Sequence, residues 1–426
     1  MRIIIISILL CYCNIVIAQQ NQPYDSITNF IQSYQYKSAI ELVNTNLDKG
    51  GDAARLYLLK GLSYKGLLKY AEAAYAFENA ISKDSSNYQT YQEAAFCYKL
   101  LGNYSRAIRN FQKANRLNPD VVSITIEIAG IFVSMEEYAK ALDIYLGLYR
   151  KDTVNIFLIR STGKAYENLE MTDSARFYYE KAVQLNPFDF QSVIRLCNID
   201  IKLRKYPQAI FITDNYKRFD PLNSKINRLN AYAYYLSDDF VKAIQNFKAC
   251  IKSCDTTDFT FKYLGLSYFR TETYDSAKIF LEKSFRKDSL NPQTCYALGI
   301  ACTMSKFKDE GILYLNKTLE LITPSPKFES EVWQHLADAH NKCAQYRKGL
   351  QAFLSAYRVT PNDTLLKFRL AVQYDENLKN KKLALKYYAE FMKTRPSGRN
   401  DGQPKKSKGL SYYDAVEKRM NQLKQE

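Results

Sequence analysis

Two stretches decide how this chain folds: GLSYKGLLKYAEAAYAFENAIS at residues 61–82 and AFCYKLLGNYSRAIRNFQKANRLNP at residues 95–119. Each opens on a small residue, Gly61 or Ala95. Three places on stands Tyr64 or Tyr98, twelve on Ala73 or Ala107, and sixteen on Phe77 or Phe111. The offset between the two stretches is 34 residues, and it persists in both directions. The opening column reads Gly61, Ala95, Ala129, Gly163, Cys197, Ala231, Gly265 and Gly299. The column twelve places later reads Ala73, Ala107, Ala141, Ala175, Ala209, Ala243, Ala277 and Gly311. The aromatic column closing each set reads Phe77, Phe111, Tyr145, Tyr179, Thr213, Phe247, Leu281 and Leu315.

A fixed period of this length is the mark of a repeat architecture. Residues three or four apart share one face of a helix, so each unit reads as two antiparallel helices joined by a tight turn. Small residues in the first two columns let the helices approach, and the aromatics fill the space beside them. Pro119, Pro187 and Pro221 recur after the second helix, where proline ends a helix because it cannot continue the hydrogen-bond ladder. A lone hairpin cannot bury its apolar face, so the units must stack.

Two more units follow. One carries Trp333, Ala337, His340, Gly349, Phe353, Ala356 and Pro361. The other carries Ala371, Tyr374, Ala384, Tyr388 and Pro396, with one extra residue placed in its central turn. An insertion around Thr323-Pro324-Ser325-Pro326 lengthens one inter-repeat loop. A degenerate unit precedes the array, with Phe30, Tyr36 and Ala39 in phase.

This pattern resembles the tetratricopeptide repeat family over roughly residues 54–397. The resemblance implies an all-α fold, a right-handed superhelical solenoid of antiparallel helix pairs. On this reading residues 1–18 are a signal peptide and 19–53 a degenerate N-terminal hairpin. Ten units run over 54–397, starting near 54, 88, 122, 156, 190, 224, 258, 292, 330 and 364. Residues 398–409 form a Gly-, Pro- and Lys-rich linker, and 410–426 a C-terminal helix. That helix either solvates the open end or binds a partner. Departures from the pattern fall at Asp200 and Thr213, where the unit at 190–223 is expected to pack less tightly, and in the unit at 292–325. They are hinges or tolerated variation, with tolerated variation the expectation.

The family resemblance also implies that the first helix of each hairpin lines a groove, through its second, fifth, ninth, twelfth and thirteenth positions. Those positions give a basic centre of Arg160, Lys164, Lys202, Lys225, Arg228, Lys262 and Arg270, interleaved with Phe157, Tyr232, Tyr235, Phe259 and Phe269. Aromatic anchors beside Arg and Lys are the chemistry of protein-binding hot spots, suited to an extended partner with acidic and apolar side chains. Some family members grip a C-terminal carboxylate with a fixed set of Lys, Asn and Arg. Asn198 stands at one such place, but Ile194 replaces the lysine, so that recognition is not expected here.

Composition agrees with a helical array. Hydrophobic residues make up 46% of 426, with 35 Tyr and only 15 Gly, too few turns for a β sandwich or barrel. The net charge of +16 favours acidic partners, and it keeps open a second reading, a basic groove for an anionic polymer such as cell-wall glycan or nucleic acid. No HExxH, phosphate-binding loop, GxSxG or dinucleotide turn occurs, and only His335 and His340 are histidines. No cofactor, no metal and no catalysis are therefore expected. The cysteines mostly occupy small-residue columns, where Cys acts as a small hydrophobe. Asp-Ser/Thr-apolar triplets, such as Asp173-Ser174-Ala175, resemble an O-glycosylation signal of some Gram-negative envelope proteins and equally suit helix caps.

Residues 1–18 combine Arg2, an apolar run from Ile3 to Leu10, and Val16-Ile17-Ala18 before Gln19. That order matches a signal peptide cleaved near Ala18-Gln19. Leu10 and Tyr12 before Cys11 and Cys13 do not fit a lipid-attachment site. The expectation is an exported protein, periplasmic, outer-membrane-associated or secreted, without a further membrane span.

Overall fold

The computed structural model describes residues 24–322, 325–395 and 412–425. The signal-like run 1–18, Thr323-Pro324 of the insertion and the linker 398–409 lie outside the described residues. Among the described residues every regular element is helical. The chain divides into two compact units, one ending at Leu196 and one beginning at Cys197, within the helix Phe190–Lys202.

The first unit opens with helical residues 24–32 and Tyr36–Asp48, followed by the pairs Ala53–Gly66 with Tyr70–Lys83 and Tyr88–Leu100 with Tyr104–Leu117. Val122–Ser134 with Tyr138–Lys151 and Ile156–Asn168 with Thr172–Leu185 complete it. In the second unit Tyr206–Phe219 is followed by the pairs Ser224–Leu236 with Phe240–Lys252, Asp258–Arg270 with Tyr274–Lys287, and Pro292–Met304 with Lys308–Leu321. Then come Pro326–Lys342 with Tyr346–Val359, Thr364–Val372 with Lys381–Met392, and the last helix Tyr412–Gln425.

Local chemistry recurs in every second repeat. The side chains of Asn87, Asn155, Asn223, Asn291 and Asp363 each accept a hydrogen bond from a backbone N–H of the first turn that follows. They satisfy donors that a helix N-terminus leaves without partners. The turn inside most hairpins holds one residue in the left-handed region, the turn after Pro292–Met304 being an exception. Leu68, Glu136, Glu170, Arg204, Asp238 and Glu272 hold it with φ near 60°, and only at Gly102, φ 74°, is the residue one that adopts it without a Cβ penalty.

The small-residue column and the column sixteen places later meet face to face. A Cβ on Gly61 would lie 2.4 Å from the Phe77 ring, and one on Gly265 would lie 2.7 Å from Leu281 Cγ and 2.9 Å from its backbone N. Phe77, Phe111 and Tyr179 in the first unit, and Phe247, Leu281 and Leu315 in the second, are fully buried. Removing one such aromatic costs about 3–5 kcal/mol, the lost transfer energy plus the cavity left behind.

Two places depart from the repeat in ways the sequence did not reveal. Thr213, standing where the column is aromatic, is fully buried in a polar network. Asn230 donates to Thr213 Oγ1 and to Asp214 Oδ1, both at 2.9 Å. Tyr234 donates to Asp214 Oδ2 at 2.9 Å, and Lys217 Nζ donates to Asn230 Oδ1 at 3.0 Å and Asn246 Oδ1 at 2.5 Å. Hydrogen bonding there replaces the packing that an aromatic ring supplies elsewhere. The second departure is the extra residue of the last repeat. Its first helix ends in a π-helical stretch, Gln373–Asn377, which widens the final turn. That stretch presents Asp375 to Arg419 of the last helix. Arg419 donates from Nε and Nη2, each at 2.8 Å, and Tyr388 donates its hydroxyl at 3.2 Å. Val416 and Leu423 are buried on the same side, so the last helix covers the end of the second unit.

Candidate functional site

The twelve residues singled out for the groove do not form one set. Phe157, Arg160 and Lys164 belong to the first unit, and the other nine to the second. In the first unit, Phe157 and Lys164 are exposed while Arg160 is half-buried and donates to Asp189 Oδ1 at 2.7 Å. Asp189 also accepts from the backbone N–H of Ser192 through its other oxygen. One carboxylate thus caps a helix and anchors an arginine from the preceding hairpin.

The second unit also pairs its arginines with its own acids, although Thr257 and not Asp255 caps the helix that follows. Arg228 donates to Asp255 Oδ2 at 3.0 Å, and Asp255 is buried. Arg270 reaches Asp238 at 3.5 Å and lies over the Phe240 ring at 4.7 Å. Lys262 sits 3.5 Å from both Asn291 Oδ1 and Gln293 Oε1. Lys202 and Lys225 are exposed. The expected basic stretch is therefore partly neutralised by the protein's own carboxylates and amides, with Asp255, Asp238 and Asp189 as the partners the sequence reading left out.

Between these cations lies a continuous aromatic cluster. Tyr232, Tyr235 and Phe259 surround Tyr263, their ring centroids 4.6, 5.1 and 4.5 Å from its own, and Tyr232 meets Phe259 at 5.0 Å. Arg228 lies over Phe259 at 6.0 Å. Burial, joined by the hydroxyl of Tyr232, pushes the Tyr263 phenol well up, so it stays protonated and serves as a donor across the ordinary pH range. Phe269 packs edge-on against Tyr274 at 5.9 Å, away from this cluster.

Tyr263 was missed because it occupies the sixth position of its repeat, outside the set taken to face the groove. A signal for it existed. The twelfth position of one repeat meets the sixth of the next: Lys65 with Glu93 at 2.5 Å, Lys99 with Glu127 at 2.7 Å, and Glu167 with Arg195 at 3.0 Å in the first unit. Complementary residues 28 places apart would have exposed this rung, and Tyr235 with Tyr263 is its aromatic version.

A concavity of about 740 Å3 lies further along the second unit, lined in part by Phe269, Tyr296, Ile300, Met304, His335 and Asn341. Tyr296 and His335 meet at 5.6 Å. Burial holds the His335 imidazole below its usual pKa, so it is neutral at neutral pH. Asp338 on the wall is ion-paired to Arg369. Among the described residues no cluster of three or more His, Cys, Asp or Glu could hold a metal, and no helix is long and apolar enough to cross a membrane.

Stacked hairpins with side chains of successive first helices brought together define a helical repeat array, a class that offers extended surfaces to other proteins. Residues 24–162 match the family model described as the Psidin N-terminal TPR repeats region, and residues 163–189 match a tetratricopeptide repeat model. Residues 24–189 therefore carry tetratricopeptide repeats, and the helix pairs continue beyond them. It is 26% identical over 296 residues to Superkiller complex protein 3 of Homo sapiens, covering 66% of this chain and 18% of that protein. It is 24% identical over 298 residues to BBSome complex member BBS4 of Bos taurus, covering 69% and 56%. The chain thus spans less than two thirds of the length of these curated relatives. Over 399 residues it is 19% identical to a TPR repeat-containing protein of Methanocaldococcus jannaschii, covering 86% and 69%. Among solved structures it is similar to that of Naa15/Naa10 bound to HypK-THB, with TM-score 0.41, 15% identity, and 89% of this chain and 69% of that one covered. It is similar also to the Cut9–Hcn1 hetero-tetramer, with TM-score 0.41, 12% identity, and 95% and 96% covered.

Proposed function

We propose that this protein is a non-enzymatic scaffold of the cell envelope that holds a protein or extended peptide along the first helices of its repeats. The observation that carries the reading is the cluster of Tyr232, Tyr235, Phe259 and Tyr263, half-exposed and flanked by Arg228, Lys262 and Arg270. Rigid aromatic surface bordered by guanidinium groups gives a large contact area at small entropic cost. The pairing of Arg228 and Arg270 with Asp255 and Asp238 favours a protein partner over a polyanion, because a carboxylate beside each cation repels a phosphate backbone. The envelope assignment rests on the signal-like run 1–18, cleaved near Ala18-Gln19.

The test is affinity purification from the native envelope with identification of captured proteins, repeated with Arg228, Tyr232 and Lys262 all changed to Ala. Loss of one specific partner in the folded triple variant supports the reading. Unchanged capture removes the central cluster from it. Tight, steeply salt-dependent binding of duplex or heparin-like polymer, without protein capture, replaces the scaffold with the polymer reading.

A further inference from the structure

A second surface, away from the first helices, carries its own pattern. In the second helix of each hairpin the inward positions are fully buried, as Ala209 and Thr213, Ala277 and Leu281, or Gly311 and Leu315 show. The residue midway between each pair points the opposite way, because two residues turn an α-helix through about 200°. A solvated face calls for a polar side chain there. Instead the second unit has Phe211, Ile279 and Leu313, with 68%, 51% and 68% of their surface exposed. The intervening helix Phe240–Lys252 has Gln245 at that place but supplies Val241, 62% exposed, one turn earlier on the same face. Four consecutive second helices of one compact unit thus each show a bulky apolar side chain to solvent.

A row of cations runs beside the apolar row. Seven residues after Phe211, Gln245 and Ile279 stand Arg218, Lys252 and Arg286, all exposed, about 10 Å further along each helix. Lys248 and Lys283 are exposed between the two rows. The basic row ends at the fourth helix, where Glu320 takes the place, and Arg286 is also bonded to Glu282 at 2.6 Å. Basic residues in a last turn complement the helix dipole, which accounts for the cations. It does not account for the apolar row.

We infer that this outer face docks on an anionic membrane surface, with Phe211, Val241, Ile279 and Leu313 entering the headgroup region and Arg218, Lys248, Lys252 and Lys283 meeting lipid phosphates. An apolar row flanked by cations is the arrangement by which interfacial helices bind such membranes. The face is distinct from the aromatic cluster of the first helices, so a bound partner and a bound membrane are compatible.

The full chain is sedimented with vesicles of phosphatidylcholine alone and with vesicles in which about one third of the lipid is phosphatidylglycerol. Partition onto the anionic vesicles only is expected, weakening as salt rises. Phe211→Ser with Ile279→Ser, and separately Lys252→Glu with Lys283→Glu, each lower that partition by about tenfold. All four altered residues are exposed, and unchanged helical circular dichroism confirms that each variant is folded. Absence of partition, equal partition onto pure phosphatidylcholine, or indifference to the Phe211/Ile279 pair overturns the inference. Binding to a single-stranded oligonucleotide that the lysine reversals abolish and the serine pair leaves intact would make the face a polyanion site instead.

Discussion

Replacing Arg419 with Ala should loosen the last helix without disturbing the array beneath it. The Asp375 carboxylate is 4% exposed and takes both Arg419 bonds, leaving only the Tyr388 hydroxyl when the arginine goes. Breaking a fully buried pair costs about 3–5 kcal/mol, because the surviving charge stays desolvated. Arg419 is itself 38% exposed, so water screens the pair and admits solvent to the site, which reduces the cost to about 2 kcal/mol. That cost falls on the attachment of the helix Tyr412–Gln425, which otherwise rests on Val416, Leu423 and the pairing of Arg395 with Asp414 at 3.0 Å. Hydrogen exchange of its amides is the assay, and about 2 kcal/mol corresponds to a loss of protection of roughly thirtyfold. Asp375→Asn alone should cost less than Arg419→Ala, and the double variant less than the two added together. Arg419 and Tyr388 hold the Asp375 carboxyl below the usual carboxylate range. The pair's contribution is therefore complete above the unfolded carboxyl pKa of about 3.9 and fades as pH falls below it toward the depressed folded value. Acidification through that window should weaken protection in the parent chain and leave the double variant unaffected by this route. Protection unchanged within twofold in Arg419→Ala, or strictly additive costs in the double variant, would refute the account.

Other outcomes follow from equally local features. Leu68→Gly should stabilise the chain by about 1 kcal/mol, since Leu68 is exposed and holds φ at 59°, whereas Gly102→Ala should cost about as much; thermal melts of both variants check the sign. Gly265→Ala should destabilise by about 1–3 kcal/mol because its Cβ meets Leu281 backbone at 2.9 Å, while Gly163→Ala, whose nearest contacts are Tyr179 ring atoms no closer than 3.1 Å, should cost less in denaturant titration. Asn230→Leu supplies the leucine that Leu196, Leu264 and Leu298 place at the same point of their repeats, but strips partners from Thr213, Asp214 and Lys217. A loss of about 1–3 kcal/mol is expected, and no loss would show the network to be dispensable.

What the sequence disclosed and what it withheld have a common physical cause. Packing columns are legible because each needs one size class at one place in every unit: Gly61 must stay small because Phe77 is large. Polar contacts are not constrained in that way. Thr213 reads as a defect until Asn230 and Asp214 are beside it, and Tyr263 reads as background until Tyr232, Tyr235 and Phe259 converge on it. The extra residue in the last repeat was legible as a number. That it would widen a helix at Gln373–Asn377 and turn Asp375 toward Arg419 depended on a partner more than forty residues away. The groove cations were legible as charge, but their own acids, Asp189, Asp255 and Asp238, sit in loops and turns whose side-chain direction no periodicity specifies.

The rungs that join neighbouring repeats also set how the protein should respond to being pulled. Among the described residues of each unit, helices pack on their neighbours in the same or the adjacent hairpin, so the load is carried by local interfaces. Tension applied along such a stack is resisted one interface at a time. Stretching it should give a sawtooth of force steps, each lengthening the chain by about 110 Å as one repeat gives way. Each unit should thereby yield one hairpin at a time under shear and take it back when the load falls.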